Sequence, residues 1–240
     1  MIKDKLVYND IYKTVDASMS DFQIGARKQK NIRNHLFVVY SIINAVIQKK
    51  DPPIDIQLYD VKQAFDSLDL EECCNDLYDA GIQDEKLTMI YEGSRINNVA
   101  ISTPVGESDR TYINDIVTQG GTLGGMMCSL QIDDIGKDAL VRDEYMYYYQ
   151  DKVGIGHLDE VMGIAKCGAK SVATNAYINS KFEAKKLTLN ETKCKKIHVG
   201  KLNSDVCPDL NAHEETIETV LHEKYIGDVI ATDGKNNKKY

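Results

Sequence analysis

The chain has 240 residues, of which 42% are hydrophobic and 28% are charged, and this composition argues against a disordered chain, a collagen-like chain or a membrane bundle. The net charge of −8 argues against a purely electrostatic nucleic-acid binder, which would be basic. The charge is uneven, because residues 51–85 hold eleven acids and one lysine and lie between basic stretches at 27–33 and 181–201. Any function has to explain this acidic centre between two basic stretches.

The apolar pattern predicts a helix and then a strand in the first quarter of the chain. Residues 32–47 place apolar side chains at helical spacing, and Asp51-Pro-Pro then stops the helix. Residues 54–60 alternate apolar and polar side chains, which is typical of a strand. The predicted strand ends at Asp60.

The rest of the chain mixes helices with short strands. We predict helices over 69–80, 84–94, 123–141 and 169–187, and strands over 195–200 and 224–230. We also predict one hairpin with strands over 97–104 and 110–117 and a second hairpin over 153–165. The second hairpin carries Asp159 and Glu160 at its turn. Strands neither alternate regularly with helices nor group into a sandwich, so the pattern favours an α+β fold with an antiparallel sheet packed on helices.

The sequence shows neither a secretory signal pattern nor the cysteine spacing of a metal site. No apolar signal segment follows Met1, and the longest apolar stretch, Leu36 to Ile47, is too short to span a bilayer. The six cysteines form no CxxC pair, which argues against a zinc site. We therefore expect an intracellular protein, in the nucleus or the cytoplasm, with reduced cysteines and no membrane partner.

Carboxylates at the two predicted strand ends suggest a metal site. If the strands that carry Asp60 and Asp159 are neighbours, the two side chains could face each other, with Glu160 beside them. Carboxylate oxygens suit Mg²⁺, and two such ions can clamp the attacking and leaving oxygens of a phosphoryl transfer. The alternative is that an Asp at a strand end is a solvated cap. A calcium-binding EF-hand loop from Asp60 to Glu71 is excluded, because Phe65 stands where that loop needs glycine.

Six segments resemble the motifs of reverse transcriptases of the non-LTR retrotransposon type, and they come in that family's order. The segments are Gly25-Ala-Arg-Lys-Gln-Lys-Asn-Ile-Arg-Asn-His35, Asp60-Val-Lys-Gln-Ala-Phe-Asp66, Ile116-Val-Thr-Gln-Gly-Gly-Thr-Leu-Gly124, His157-Leu-Asp-Glu160, Leu187-Thr-Leu-Asn-Glu-Thr-Lys-Cys194 and Lys224-Tyr-Ile-Gly227. The resemblance implies a polymerase palm with partial fingers. It divides the chain into partial fingers over 1–53 and a palm with a fingers insertion over 54–240, which ends near the primer grip and lacks a thumb.

The resemblance implies a reaction and its partners. It implies an RNA-directed DNA polymerase that adds deoxynucleotides to a DNA primer on an RNA template, with two Mg²⁺ ions as cofactors. Asp60 and Asp159 resemble the two metal-binding aspartates, and Glu160 would assist them. Phe65 resembles the aromatic gate that excludes a ribose 2′-hydroxyl, and the alternative is a core residue in an amphipathic turn. The oligomeric state is left open.

Further residues take roles by the same resemblance. The nucleotide-binding candidates are Arg27, Lys28, Arg33, Gln119, Gly120 and Lys193, and the primer-grip candidates are Tyr225, Ile226 and Gly227. The basic side chains would neutralise a triphosphate, with Lys193 as a proton donor near the leaving group. Glycine beside the nucleotide would let the backbone come close. The alternative for the basic residues is a solvated surface.

The sequence also departs from the family pattern. The paired-aspartate motif ends in Glu160, whose extra methylene moves the carboxylate by roughly 1 Å, and catalysis is sensitive to displacements of that size. This departure and the expected lack of a thumb motivate a second hypothesis, a catalytically impaired palm remnant that at most binds nucleic acid. A nucleotide cyclase or an unrelated phosphotransferase on a palm-like fold is a third, less supported alternative.

Overall fold

The computed structural model describes residues 2–48, 52–114, 117, 121–141, 154–201 and 217–234. The helices are α1 (Ile2–Ser18), α2 (Ile32–Ile47), α3 (Ala64–Ser67), α4 (Leu70–Asp79), α5 (Asp84–Arg95), α6 (Thr122–Val141) and α7 (Ala169–Ala184). The strands are β1 (Ile54–Asp60), β2 (Ile96–Val99), β3 (Ser102–Thr103), β4 (Gly106–Glu107), β5 (Thr111–Asn114), β6 (Gly154–His157), β7 (Glu160–Lys166), β8 (Lys195–Val199), β9 (Glu218–Val220), β10 (His222–Tyr225) and β11 (Asp228–Ala231). None of the helices in these ranges is both long and apolar enough to cross a membrane.

A five-stranded sheet in the order β6-β7-β1-β8-β9 forms the centre of the molecule. Its pairs are antiparallel except β8 with β9, which are parallel. Strand β1 lies in the middle and is buried along its length up to Asp60, which is half-buried. Because side chains alternate across a strand, Ile56 and Leu58 point to one face of the sheet and Tyr59 points to the other.

Each face of the sheet supports its own hydrophobic cluster. Helix α2 and the β10–β11 hairpin cover the face that carries Leu58, with Val39 and Ile230 fully buried there. Helices α1, α4, α6 and α7 pack over the opposite face, around Tyr59 and Phe182. The predicted α+β architecture, a sheet packed on helices, is therefore confirmed.

Helix α2 follows directly from its sequence. Asn31 caps its first turn, because its side chain accepts a hydrogen bond from the backbone N–H of Arg33 at 2.9 Å. Its buried residues, which include Leu36, Val39 and Ile43, repeat at helical spacing on one face. Burying these side chains against β1 holds the segment upstream of the sheet in place.

Several elements differ from the sequence prediction, among them the short helix α3 and strand β9, which were not predicted. Helix α1 was not predicted, because its buried stripe of Tyr8, Ile11 and Val15 is narrow among polar residues. Helix α7 ends at Ala184 and not at 187, since Lys186 has φ 57° in the left-handed region that terminates helices. The segment predicted as one strand over 224–230 is the β10–β11 hairpin.

The cysteines agree with the prediction at four positions and disagree at one. Cys73, Cys74, Cys128 and Cys194 are free and buried, as expected for reduced cysteines. Cys167 is disulfide-bonded. The expectation that all the cysteines are reduced is therefore wrong at this position.

Candidate active site

The two predicted carboxylate segments meet at one end of the sheet. Strands β1 and β7 are antiparallel neighbours, and their register places Asp60 directly opposite Glu160. Asp159 occupies the tight turn between β6 and β7, and its carbonyl oxygen accepts a hydrogen bond from Val61 N–H at 3.3 Å. Side chains that are directly opposite on neighbouring strands share a face, so Asp60 and Glu160 lie side by side on the face that carries Leu58.

The electrostatics of this group reflect burial and mutual repulsion. Burial raises the pKa of Asp159, and the nearby Asp60 carboxylate raises it further. Burial also raises the pKa of Glu160, followed by repulsion from Asp159 and Asp60. Buried carboxylates that lie close together are costly to ionise, because they lose hydration and repel one another. A cation bound between them would offset this electrostatic cost.

Lys193 neutralises part of this negative charge. Its Nζ lies 3.2 Å from Oδ1 and 3.1 Å from Oδ2 of Asp60, and this contact raises the pKa of the lysine. The position is set by the backbone, because Asn190 N–H donates to the Asp60 carbonyl oxygen at 2.8 Å and Lys193 N–H donates to the Asn190 carbonyl oxygen at 2.9 Å. The structure thus brings Lys193 to the carboxylates with an exposed side chain.

The predicted primer-grip residues form the turn of the β10–β11 hairpin beside Glu160. Ile226 has φ 48° and Gly227 has φ 82°, the left-handed conformations of a tight hairpin turn. The backbone N–H of Ile226 donates to the Glu160 carboxylate, which opposes the rise in the pKa of that residue. Tyr225 is buried in the cluster beneath the hairpin, so it supports the turn and does not face solvent.

A cleft of about 660 Å³ opens between this hairpin and the end of the sheet. Its lining includes Asp60, Glu160, Lys193, Lys224 and Gly227. Asp159 does not line it. The cleft therefore combines two of the predicted carboxylates with basic side chains and with the predicted primer grip.

The basic segment before α2 lies against the other side of the β6–β7 hairpin. A second cleft, of about 410 Å³, is lined by Ile24, Ala26, Arg27, Lys28, Lys30, Ile32 and His157. Within it, Lys30 pairs with Asp21 at 2.6 Å, and the Lys28 Nζ lies 4.5 Å from the ring centroid of Tyr12. Arg33 is exposed at the start of α2.

Arg27 is held inside the protein. Its side chain is only 6% exposed, and its Nε lies 2.7 Å from Asp16 Oδ1. Its terminal nitrogens donate to the carbonyl oxygens of Asp16, Ser20 and Gln23. In this arrangement the guanidinium anchors the segment, and its predicted contact with a triphosphate stays a prediction.

The remaining nucleotide-binding candidates are placed only in part. Phe65 follows the β1 end in the short helix α3, half-buried against the cluster that contains Tyr59. Its predicted role as a gate stays a prediction. Gln119 and Gly120 lie outside the described residues.

The carboxylate oxygens of Asp60, Asp159 and Glu160 suit a hard divalent cation, but these side chains are not arranged closely enough to form a preorganised metal site. Carboxylate oxygens are the ligands that magnesium prefers, and Asp60 lies close enough to raise the pKa values of both Asp159 and Glu160. Among the described residues, no three Asp, Glu, His or Cys side chains are grouped closely enough to hold an ion. The three carboxylates are the residues that would hold magnesium.

Sequence reasoning missed Gln23, which contacts the same hairpin. Its side chain is fully buried and hydrogen-bonds to the backbone of Leu158, the residue before Asp159. The only local signal was a polar residue between the apolar Phe22 and Ile24, and such a pattern does not name the distant partner.

Comparisons with known proteins show the family and the fold of this chain. The family described as reverse transcriptase (RNA-dependent DNA polymerase) matches residues 2–228. No curated protein gives a significant match.

Solved telomerase structures share the fold. An apo telomerase from Candida tropicalis, truncated from the C-terminal domain, superposes with a TM-score of 0.63 at 12% identity over 97% of this chain and 45% of that chain. The Candida tropicalis telomerase in complex with a TWJ fragment of telomeric RNA gives 0.64 at 11% identity, over 97% of this chain and 37% of that chain. The telomerase from Candida albicans, in complex with the same kind of fragment, gives 0.55 at 12% identity, over 99% and 37%. This chain thus spans less than half the length of these telomerase chains.

The superpositions, at so low an identity, establish the fold alone. The family match covers residues 2–228, nearly the whole sequence. The chain therefore belongs to the reverse transcriptase (RNA-dependent DNA polymerase) family.

Proposed function

We propose that the chain is an RNA-directed DNA polymerase domain that transfers deoxynucleotides from their triphosphates to a DNA primer on an RNA template. The observation that carries the proposal is the register that sets Asp60 opposite Glu160, with Asp159 in the adjoining turn. Polymerases of the reverse transcriptase family use divalent metal ions. In this proposal residues 1–53 supply part of the fingers and residues 54–240 supply the palm.

The proposed reaction is an in-line phosphoryl transfer. The primer 3′-hydroxyl gives up its proton to water and attacks the α-phosphorus of the incoming nucleotide, and the bond to the pyrophosphate leaving group breaks. Asp60 and Asp159, with Glu160 beside them, would hold two magnesium ions, whose charge stabilises the attacking and leaving oxygens.

The chain's own side chains supply the remaining steps. Lys193 stays protonated, since its contact with Asp60 raises its pKa, and it would donate a proton to the leaving pyrophosphate. Lys28 and Arg33 would attract the triphosphate on the fingers side, and Phe65 would crowd a ribose 2′-hydroxyl. The turn at Ile226 and Gly227 would support the primer end at the cleft beside Glu160.

The six motif resemblances support a non-LTR retrotransposon type. An RNA template, a DNA primer and deoxynucleotides all meet inside cells, so we infer an intracellular location, in the nucleus or the cytoplasm.

Primer extension on an RNA template tests the proposal. Extension by the full chain should require Mg²⁺ and should vanish in Asp60→Asn, because an amide removes one of the carboxylate charges at the cleft. Asp66→Asn is the matched control, since Asp66 lies in the same motif but is exposed on α3, and it should keep extension. Extension that survives Asp60→Asn contradicts the proposal.

A second candidate function, a palm that binds nucleic acid without catalysis, is favoured by one observation. Glu160 carries an extra methylene, and its carboxylate already accepts a hydrogen bond from Ile226. This candidate predicts salt-dependent binding to an RNA–DNA duplex without extension. Glu160→Asp separates the two, because gained extension indicates a polymerase impaired by geometry, whereas unchanged binding without extension supports the binding role.

A further inference from the structure

The segment before the basic motif adds an edge to the sheet beside the catalytic hairpin. Ile24 N–H donates to the Gly156 carbonyl oxygen at 2.8 Å, and Gly156 N–H donates to the Phe22 carbonyl oxygen at 2.9 Å. Gln23 pairs with Gly156 as a parallel bridge. The fingers segment therefore fixes β6 from the side opposite β7.

Gln23 extends this contact to the turn through its side chain. Its Oε1 accepts from Leu158 N–H at 3.2 Å, and its Nε2 donates to the Leu158 carbonyl oxygen at 3.4 Å. The same Oε1 accepts from Gly25 N–H at 2.7 Å. The amide thus satisfies both backbone groups of the residue that precedes Asp159.

The turn needs this support because its backbone is strained. Leu158 has φ 55°, a conformation that is unfavourable for a residue with a branched side chain and that persists only where surrounding contacts enforce it. A strained turn released from its partners would relax, and the carboxylate of Asp159 would move with it.

Gly25 makes the close approach possible. A Cβ on this residue would lie 2.3 Å from the backbone nitrogen of Leu158, so any side chain would push the turn away. The Gly25 carbonyl oxygen also accepts from Ser129 Oγ at 3.0 Å, which ties the segment to α6. The contact is therefore fixed on both of its sides.

We propose that Gln23 and Gly25 are positioning residues that hold the Leu158–Asp159 turn so that the Asp159 carboxylate meets Asp60 at the metal-binding end of the sheet. The inference rests on the proposed function, because it concerns the same carboxylates. Neither residue contacts the reacting atoms. They act through the two hydrogen bonds from the Gln23 side chain to the Leu158 backbone and through the close approach of Gly25 to the Leu158 nitrogen.

The test replaces the amide with an apolar side chain of similar shape. Gln23→Met should weaken Mn²⁺ binding by about 10-fold or more, which is the usual cost of losing a group that orients a metal ligand. The Mn²⁺ affinity is measured by electron paramagnetic resonance, with and without an RNA–DNA duplex. The Mg²⁺ concentration for half-maximal primer extension should rise in parallel. Gly25→Ala should act in the same direction.

Gln131→Met is the matched control. Gln131 is equally buried, on α6, and its side chain donates to Asp76 away from the hairpin. Its replacement should lower thermal stability and leave Mn²⁺ affinity and the Mg²⁺ requirement unchanged. Both variants are compared at temperatures where circular dichroism shows them folded.

The outcomes separate this inference from the proposed function. If the native chain binds Mn²⁺ but does not extend a primer, the polymerase proposal fails and the Mn²⁺ affinities alone decide the positioning role. If Gln23→Met and Gln131→Met show the same Mn²⁺ affinity and the same Mg²⁺ requirement, the inference is overturned. Absence of Mn²⁺ binding in the native chain, with and without the duplex, overturns it as well.

Discussion

Replacing Arg27 tests whether this residue anchors the basic segment before α2 or binds an incoming nucleotide. The guanidinium makes four hydrogen bonds inside the protein, one to the Asp16 carboxylate and three to carbonyl oxygens of Asp16, Ser20 and Gln23. Arg27→Met keeps the aliphatic stem and removes all four. We therefore expect that Arg27→Met lowers the free energy of unfolding, and that its main effect is on stability and not on catalysis.

The structure sets the size of this loss. Hydrogen bonds to a charged group contribute about 1.5–3 kcal/mol each, but the freed groups regain water in part, because Asp16 is 32% exposed. The net cost should therefore lie well below the sum, at about 2–4 kcal/mol of unfolding free energy. That amount is a large fraction of the stability of a typical domain.

Urea unfolding followed by circular dichroism measures this difference, with Arg33→Met as the control. Arg33 lies in the same basic segment but is exposed, so its replacement should change the unfolding free energy by no more than about 0.5 kcal/mol. An Arg27→Met chain as stable as the control would refute the anchoring role. If that chain also showed a raised KM for deoxynucleotides, the guanidinium would instead serve the triphosphate.

Three further substitutions probe α6 and its contact with residues 20–26. Gly136→Ala should lower the unfolding free energy, measured with urea, by about 1–3 kcal/mol, because the new Cβ would lie 2.3 Å from the Phe22 ring. Gly125→Ala on the same helix is the control: its Cβ would meet only a contact at 3.7 Å, so the change should be neutral or stabilising by up to about 1 kcal/mol. Equal effects of the two substitutions would contradict this packing. Burial raises the pKa of Asp133 in spite of hydrogen bonds from Ser20, so this carboxyl binds its proton more tightly in the folded chain. Stability should therefore rise as the pH falls from above this raised pKa towards the unfolded value of about 3.9. Asp133→Asn should remove that part of the pH dependence, and parallel stability curves for the two chains between pH 7 and 4 would show the reasoning to be wrong.

The sequence predicted those elements whose information is local. The alternation that ends at Asp60 predicted β1, and the apolar spacing over 32–47 predicted α2 with the observed bounds. The turn that carries Asp159 was also placed correctly, because acids between two apolar runs are a local pattern. The sequence did not predict that these two strands are neighbours, because strand pairing depends on contacts between residues far apart in the chain.

The contacts that position the site could not be predicted from local patterns. Gln23 reaches a residue 135 positions away, and no spacing rule in the sequence links the two. Ile226 donates to Glu160 through its backbone N–H, a contact that any residue except proline could make, so the residue identity carries almost no signal. Such contacts become visible only when the fold brings distant segments together.

The charge pattern of the sequence also fails to identify the site residues. Residues 51–85 are strongly acidic, but Asp69 caps α4 and Asp76 pairs with Lys185 at 3.0 Å, so these acids serve the fold. Asp60 is the one in this stretch that lines the cleft beside Glu160, among the residues that the structure describes. Because a carboxylate in a helix cap and one at the proposed catalytic cleft are the same chemical group, charge density alone cannot separate them. Position at the end of β1, opposite the hairpin, is what sets Asp60 apart.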